Sequence, residues 1–282
     1  MGIFAPLIAE LNTKKLDCSV PQSFKGYKKT HSISSTAMTA SILSIDYLDR
    51  LDSELRENNL MVFRLGSEPG SNGTHFALAR AKGGFTDYFL DENTLEQNSS
   101  MGICEPNNSH NLEAFKLLPK LTESSLVNLS LASGILGNAL GLDNAIQQNI
   151  PATCQSTFSF TVHPHQEINT EWLHRNGQVE IDALFCGSRR GKKELYLVES
   201  KFGTSHSSLA KHKLVYPYLA LREHLQEDIS IVPVYLKTKI EGNSISFMVT
   251  ECCFKGESTA ISSLKPLITK TFILKNFLNK TL

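Results

Sequence analysis

Gln178–Cys186 (QVEIDALFC) and Leu195–Lys201 (LYLVESK) are the two stretches whose reading decides the fold. Both are short, apolar runs bounded by polar segments, the texture of strands rather than helices. Between them Gly187–Lys193 (GSRRGKK) is turn-like and strongly basic, so the two strands are expected to form a hairpin. Side chains alternate along a strand, which puts Glu199 and Lys201 on one face and lets the hairpin bring Asp182 beside Glu199. Strict alternation also puts Glu180 on the face of Asp182, where it either joins the pair or is a solvated glutamate.

Outward from the hairpin, Phe158–Val162, Ile231–Leu236 and Ser246–Phe254 read as further strands. Ser207–Gln226 reads as a helix that Pro217 starts, kinks or splits. The tail, Leu264–Leu282, stays open between helix and strand. Upstream, Ile42, Ile45, Leu48, Leu51 and Leu55 recur at helical spacing and predict one helix over Ser34–Arg56. Leu60–Leu65 and His75–Arg80 are expected to pair around the Gly66–Gly73 loop, which lacks the Gly-Lys-Ser/Thr of a P-loop. Residues 91–110 read as a polar surface loop, and helices are expected near 111–118 and 123–141. The pattern predicts an α/β (α+β) fold, a central mixed sheet flanked by helices with a mixed α/β N-terminal region. Residues 1–150 and 151–282 are expected to be its two parts.

Composition excludes little but is informative. The chain has 282 residues, with 28 basic and 28 acidic side chains and zero net charge, unlike a polybasic nucleic-acid binder. A cleft can still be locally basic. The six cysteines form no C-x-x-C pair, which points to reduced thiols and a cytoplasmic protein. No apolar run approaches the roughly 18 residues of a membrane helix, so no membrane association is expected. His163 and His165 lack partner ligands in the sequence and read as loop residues.

Asp182 and Glu199 converging on one face make an oxygen-rich site suited to Mg²⁺, with Mn²⁺ as a substitute. Lys201, two residues beyond a metal carboxylate, places an ammonium where it can orient water and offset charge building on a phosphorane. The competing reading is a structural ion-pair network on an exposed sheet face. It is disfavoured because Tyr196 and Val198 make the second strand look central, where unpaired charge is costly.

Ile181-Asp182 and Glu199-Ser200-Lys201, each on an apolar strand, resemble the PD-(D/E)XK nuclease superfamily, the fold of many type II restriction endonucleases. The resemblance covers residues 155–255 and implies a core in α-β-β-β-α-β order. It implies Asp182 and Glu199 as Mg²⁺ ligands, Lys201 as a catalytic group, and a further acidic ligand for which Glu167 and Glu171 are both candidates. Lys213-Leu-Val-Tyr-Pro-Tyr is similar to a Gln-x-x-Tyr-Pro-Tyr pattern of some such nucleases, with Lys213 in place of Gln. Arg189, Arg190, Lys192, Lys193, Lys211 and Lys213 are the expected DNA contacts. The implied activity is Mg²⁺-dependent cleavage of duplex DNA by a homodimeric restriction enzyme, with residues 1–150 supplying DNA recognition and dimer contacts. A structure-specific repair, recombination or defence nuclease is the first alternative. A non-catalytic nucleic-acid-binding protein of the same fold is the second.

Overall fold

The Asp182 and Glu199 stretches do form an antiparallel hairpin, and a seven-stranded sheet is built outward from it. The structure is a computed structural model and describes residues 2–34, 37–67, 73–104, 109–144, 150–225 and 229–278. The first half contains α1 (Ala5–Lys14), β1 (Gln22–Ser23), α2 (Phe24–Thr30), α3 (Thr39–Leu43), α4 (Ser53–Glu57), β2 (Leu60–Arg64) and β3 (His75–Arg80). It continues through β4 (Phe89–Asp91), α5 (Glu92–Gln97), β5 (Ser100–Cys104), α6 (Glu113–Leu117), α7 (Glu123–Ala132) and α8 (Ile135–Leu140). The second half contains β6 (Ala152–Val162), β7 (Trp172–Arg189), β8 (Lys192–Phe202), β9 (Ser208–Ala210), α9 (His212–Arg222), β10 (Ser230–Glu241), β11 (Ser244–Phe254) and β12 (Leu264–Leu274).

The large sheet runs β5-β12-β11-β10-β8-β7-β6. It is mixed: β8 and β10 are parallel, as are β12 and β5, and the other neighbours are antiparallel. A parallel pair needs a crossover, and α9 supplies it between β8 and β10. Each face of the sheet is covered. On one, Leu126 and Leu129 of α7 and Leu136 of α8 join Ala183, Val198, Val234 and Phe247 in a core. On the other, α9 and the N-terminal elements share a second core with Trp172, Val179, Tyr235 and Met248. The sheet therefore spans residue 150: β5, α7 and α8 of the first half belong to the same layers as the second half.

Several elements differ from their sequence expectation for identifiable reasons. Ser34–Arg56 is not one helix, and residues 35–36 lie outside the described ones. α3 ends at Leu43, the backbone extends through Ser44 and Tyr47, and α4 restarts after Asp52, whose side chain accepts from the Glu54 amide. Ile45, Leu51 and Leu55 are buried all the same, so the apolar spacing is satisfied without a continuous helix. In the polar stretch 91–110, Asp91 caps α5 and β5 forms an edge strand; residues 105–108 lie outside the described ones. The 123–141 helix divides at Gly134, whose φ of 76° is the left-handed conformation that glycine adopts without strain. Ser208–Ala210 pairs with β4, which shortens the following helix, and residue 226 of its expected end lies outside the described ones. β2 and β3 pair as expected, though 68–72 of their loop are not described. The tail resolves as strand β12 through Leu274, with 279–282 outside the described residues. Among the described residues, no helix is long and apolar enough to cross a membrane.

Candidate active site

Along β7 strict alternation fails at the residue that matters. Val179 belongs to one core while Ala183 and Phe185 belong to the other, although all three share odd parity. The β6–β7 register explains it: Cys154 pairs with Ile181 but Ala152 pairs with Leu184, so Asp182 and Ala183 together oppose the single residue Thr153. Such a bulge re-aims side chains. It turns Asp182 to the face that carries Glu199 and leaves Glu180 on the other. Glu180 is exposed and accepts hydrogen bonds from Gln155 (2.8 Å) and Gln178 (3.2 Å), so the alternation that grouped it with Asp182 does not hold.

The β7–β8 ladder runs up to Ala183↔Val198, and there a side chain takes over. Asp182 Oδ2 accepts from the Ser200 amide at 2.9 Å, which fixes the carboxylate against the Glu199–Lys201 segment. On β8, Glu199 is 2% exposed and Lys201 8%. Lys201 Nζ lies 2.8 Å from Glu199 Oε1, and Lys213 Nζ of α9 lies 3.6 Å from the same atom. These are ion pairs by distance, yet Oε1 is fully enclosed and has no aligned hydrogen bond. Burial is the main force on Glu199 and raises its pKa; Lys213 and Lys201 pull it down, Asp182 pushes it up, and it settles at about 7. Burial alone would lower the lysines, but Glu199 heads the neighbouring charges that hold both above the ordinary value.

A third carboxylate reaches this cluster from the first half of the chain. Asp46 sits in the extended stretch between α3 and the Leu48–Arg50 turn, and its carbonyl accepts from the Ala210 amide at 2.8 Å. Its charge acts on Lys201, Lys213 and His212 alike. Beside it, the Tyr47 hydroxyl is raised by burial and feels Lys201, Asp46, Glu123 and Glu199. Tyr47 stacks on His206 at 3.9 Å, and His206 Nδ1 lies 2.7 Å from Asp49. Sequence reasoning missed Asp46 because it falls inside the stretch that reads as a single helix.

The family described as Domain of unknown function (DUF6997) matches residues 86–273. The chain belongs to the DUF6997 family. No curated protein matches it. The DUF6997 segment contains Asp182, Glu199, Lys201 and Lys213, whereas Asp46 and Tyr47 precede it.

The other expected site residues are not brought to this cluster. Glu167 and Glu171 are exposed and precede β7, at the far end of that strand from Asp182; Glu171 faces His163 at 3.9 Å. Lys211 is 1% exposed, donates to the Thr86 carbonyl at 2.6 Å, and is lowered to about 7 by burial, so it is a buried strut rather than a surface DNA contact. Arg189 is bound to Glu194 (2.8 Å) and Glu251 (2.6 Å). Arg190, Lys192 and Lys193 are exposed at the turn. The turn is six register pairs from Ala183↔Val198, roughly 20 Å by strand rise, and not beside the carboxylates.

A metal ion, were it to bind here, would meet hard oxygen donors. Among the described residues no group of three His, Cys, Asp or Glu side chains forms a ready ligand set. Two carboxylates suffice for Mg²⁺, which keeps several waters. The enclosed Glu199 Oε1, lacking an aligned hydrogen bond, and Asp182, held on the same face, fit that coordination.

Proposed function

We propose that the chain is a Mg²⁺-dependent phosphodiesterase that cuts DNA, built on Asp182, Glu199, Lys201 and Lys213. The observation that carries this reading is the cluster of two carboxylates and two lysines around the enclosed Glu199 Oε1. Burying such charge without full hydrogen bonding costs stability, and clusters of this kind concentrate at functional sites. Apart from the short β9, which pairs outside the large sheet, the order β6-β7-β8-α9-β10 follows the β-β-β-α-β part of the nuclease core. DNA as the substrate comes from the resemblance to PD-(D/E)XK nucleases, and so does the restriction-type homodimer, whose two-fold symmetry would match a two-fold site.

In this reading Asp182 and Glu199 would hold the ion, which when bound supplies Lewis acidity and a water of lowered pKa. Glu199 must be ionised to do so, and the two lysines favour that form against burial. Lys201 positions the attacking water and balances charge on the phosphoryl oxygens, and Lys213 adds a second cation from the crossover helix. The water oxygen bonds to phosphorus as one P–O ester bond breaks; the leaving ester oxygen keeps the bonding pair and takes a proton from solvent, and the proton of the attacking water is released to solvent.

The test is incubation of the purified chain with a defined plasmid and Mg²⁺, with sequencing of the cut ends. Discrete bands support a restriction enzyme; cutting confined to branched or single-stranded DNA supports a structure-specific nuclease. Asp182→Ala, Glu199→Ala and Lys201→Ala are each expected to abolish cleavage while leaving DNA binding. Wild-type cutting by all three would refute the site, and metal-independent binding without any cutting would favour the non-catalytic alternative.

A further inference from the structure

Next to the carboxylates lies a cleft of about 360 Å³ bounded by Ala40, Ser44, Asp46, Arg64, Val179 and Lys213, within the size class of ligand pockets. Most of its charges already have partners. Lys213 Nζ lies 3.6 Å from Glu199 Oε1 and also feels the charge of Asp46. His174 and His212, which also line it, are kept neutral by burial, each at about 4.

Arg64 is different. It is the last residue of β2, and among the described residues its guanidinium makes one side-chain hydrogen bond, Nη1 to Ser44 Oγ at 3.3 Å. Among the described residues no carboxylate lies within 4 Å of it, although a guanidinium carries five donors. Its backbone is tied to the site: the Tyr216 hydroxyl of α9 donates to the Arg64 carbonyl at 3.2 Å, and α9 also carries Lys213. The strand end that bears the cation is thus tied to the helix that bears Lys213, and the guanidinium has donors left over. The planar fork of a guanidinium matches phosphate oxygens.

We propose that this cleft is the subsite for the nucleotide next to the scissile phosphodiester, with Arg64 gripping that nucleotide's phosphate. The proposal rests on the phosphodiesterase reading and names the part of the substrate bound beside the cut. It also gives a neutral chain a local cation for a polyanion, in place of the turn cations that the fold carries away.

The experiment is fluorescence anisotropy of a short labelled DNA duplex in chelator over a salt series, with melting temperatures measured alongside. Arg64→Gln keeps a hydrogen-bonding group for Ser44 but removes the charge. It is expected to weaken binding about tenfold and to lower the slope of log Kd against log salt by about one. Arg64→Lys should restore the slope with only part of the affinity, and Ser44→Ala should stay near wild type. Wild-type affinity and slope in Arg64→Gln would overturn the subsite, as would an equal loss in Ser44→Ala or no duplex binding by the wild type. The underlying reading is judged separately: Mg²⁺-dependent cutting with an inert Arg64 discards the subsite alone, and no cutting of any DNA discards the phosphodiesterase.

Discussion

The two ends of the β7–β8 hairpin are both densely charged, and they are built in opposite ways. At the turn, the partly buried charges are matched, and Arg190, Lys192 and Lys193 stand exposed to solvent. Arg189 bridges Glu194 and Glu251, and Asp143 accepts from the Arg190 and Gly191 amides at 2.7 and 2.9 Å and from Ser188 Oγ. At the other end Glu199, Lys201 and Lys213 crowd together, and an enclosed carboxylate oxygen has cations near but no aligned donor. The difference teaches that a conspicuous run of charge is the weaker pointer to chemistry. Buried charge left imperfectly satisfied is the stronger one.

The comparison is broken most severely by exchanging phenotypes between the ends. Glu199→Gln replaces a buried acid with a neutral isostere; cleavage is expected to fall at least about a thousandfold while the melting temperature holds or rises. An equal loss of stability would mean that this end is structural like the other. Arg189→Ala should do the reverse. It strands Glu251, 6% exposed, and is expected to cost about 2–3 kcal/mol in urea denaturation, with turnover per folded molecule unchanged.

The cleft histidines sharpen the contrast through pH. His174 is lowered to about 4 from an unfolded value near 6.5, so the unfolded chain binds its proton first. The stability that this gives is complete above pH 6.5 and is lost as pH falls toward 4, by roughly 2–3 kcal/mol. Denaturation at pH 7.5 and 4.5 should show a smaller loss in His174→Gln than in the wild type; identical losses would remove His174 as a cause. The smallest effect is expected at the exposed turn, where the Lys192→Ala/Lys193→Ala double variant should stay within about 0.5 kcal/mol in stability. Its DNA affinity should remain well above that of Arg64→Gln, and the opposite order would return DNA contact to the turn.

Much of the sheet was legible because its strands carry local signals. The hairpin, the strand status of β10 and β11, and the pairing of Glu199 with Lys201 follow from apolar runs and a period of two. What was not legible depends on long-range packing. Ile45, Leu51 and Leu55 have helical spacing, yet tertiary burial satisfies them in a broken chain, and that break is what delivers Asp46 to the cluster. Lys211 and Lys213 look equivalent in sequence, but about half a helix turn separates them and sends the first under the Thr86 carbonyl and the second to Glu199. The resemblance implies Glu167 or Glu171 as a further ligand, but both lie ahead of a strand 18 residues long and stay at its far end.

The bulge at Asp182 and Ala183 has a consequence for reading relatives. An acidic residue aligned with Asp182 reaches the cluster only if the chain also keeps the extra β7 residue opposite Thr153. A relative with a one-residue gap there would retain every letter of the motif in an alignment and present its carboxylate to the opposite layer. Whether a family member is competent is thus written in the length of a strand as much as in its residues.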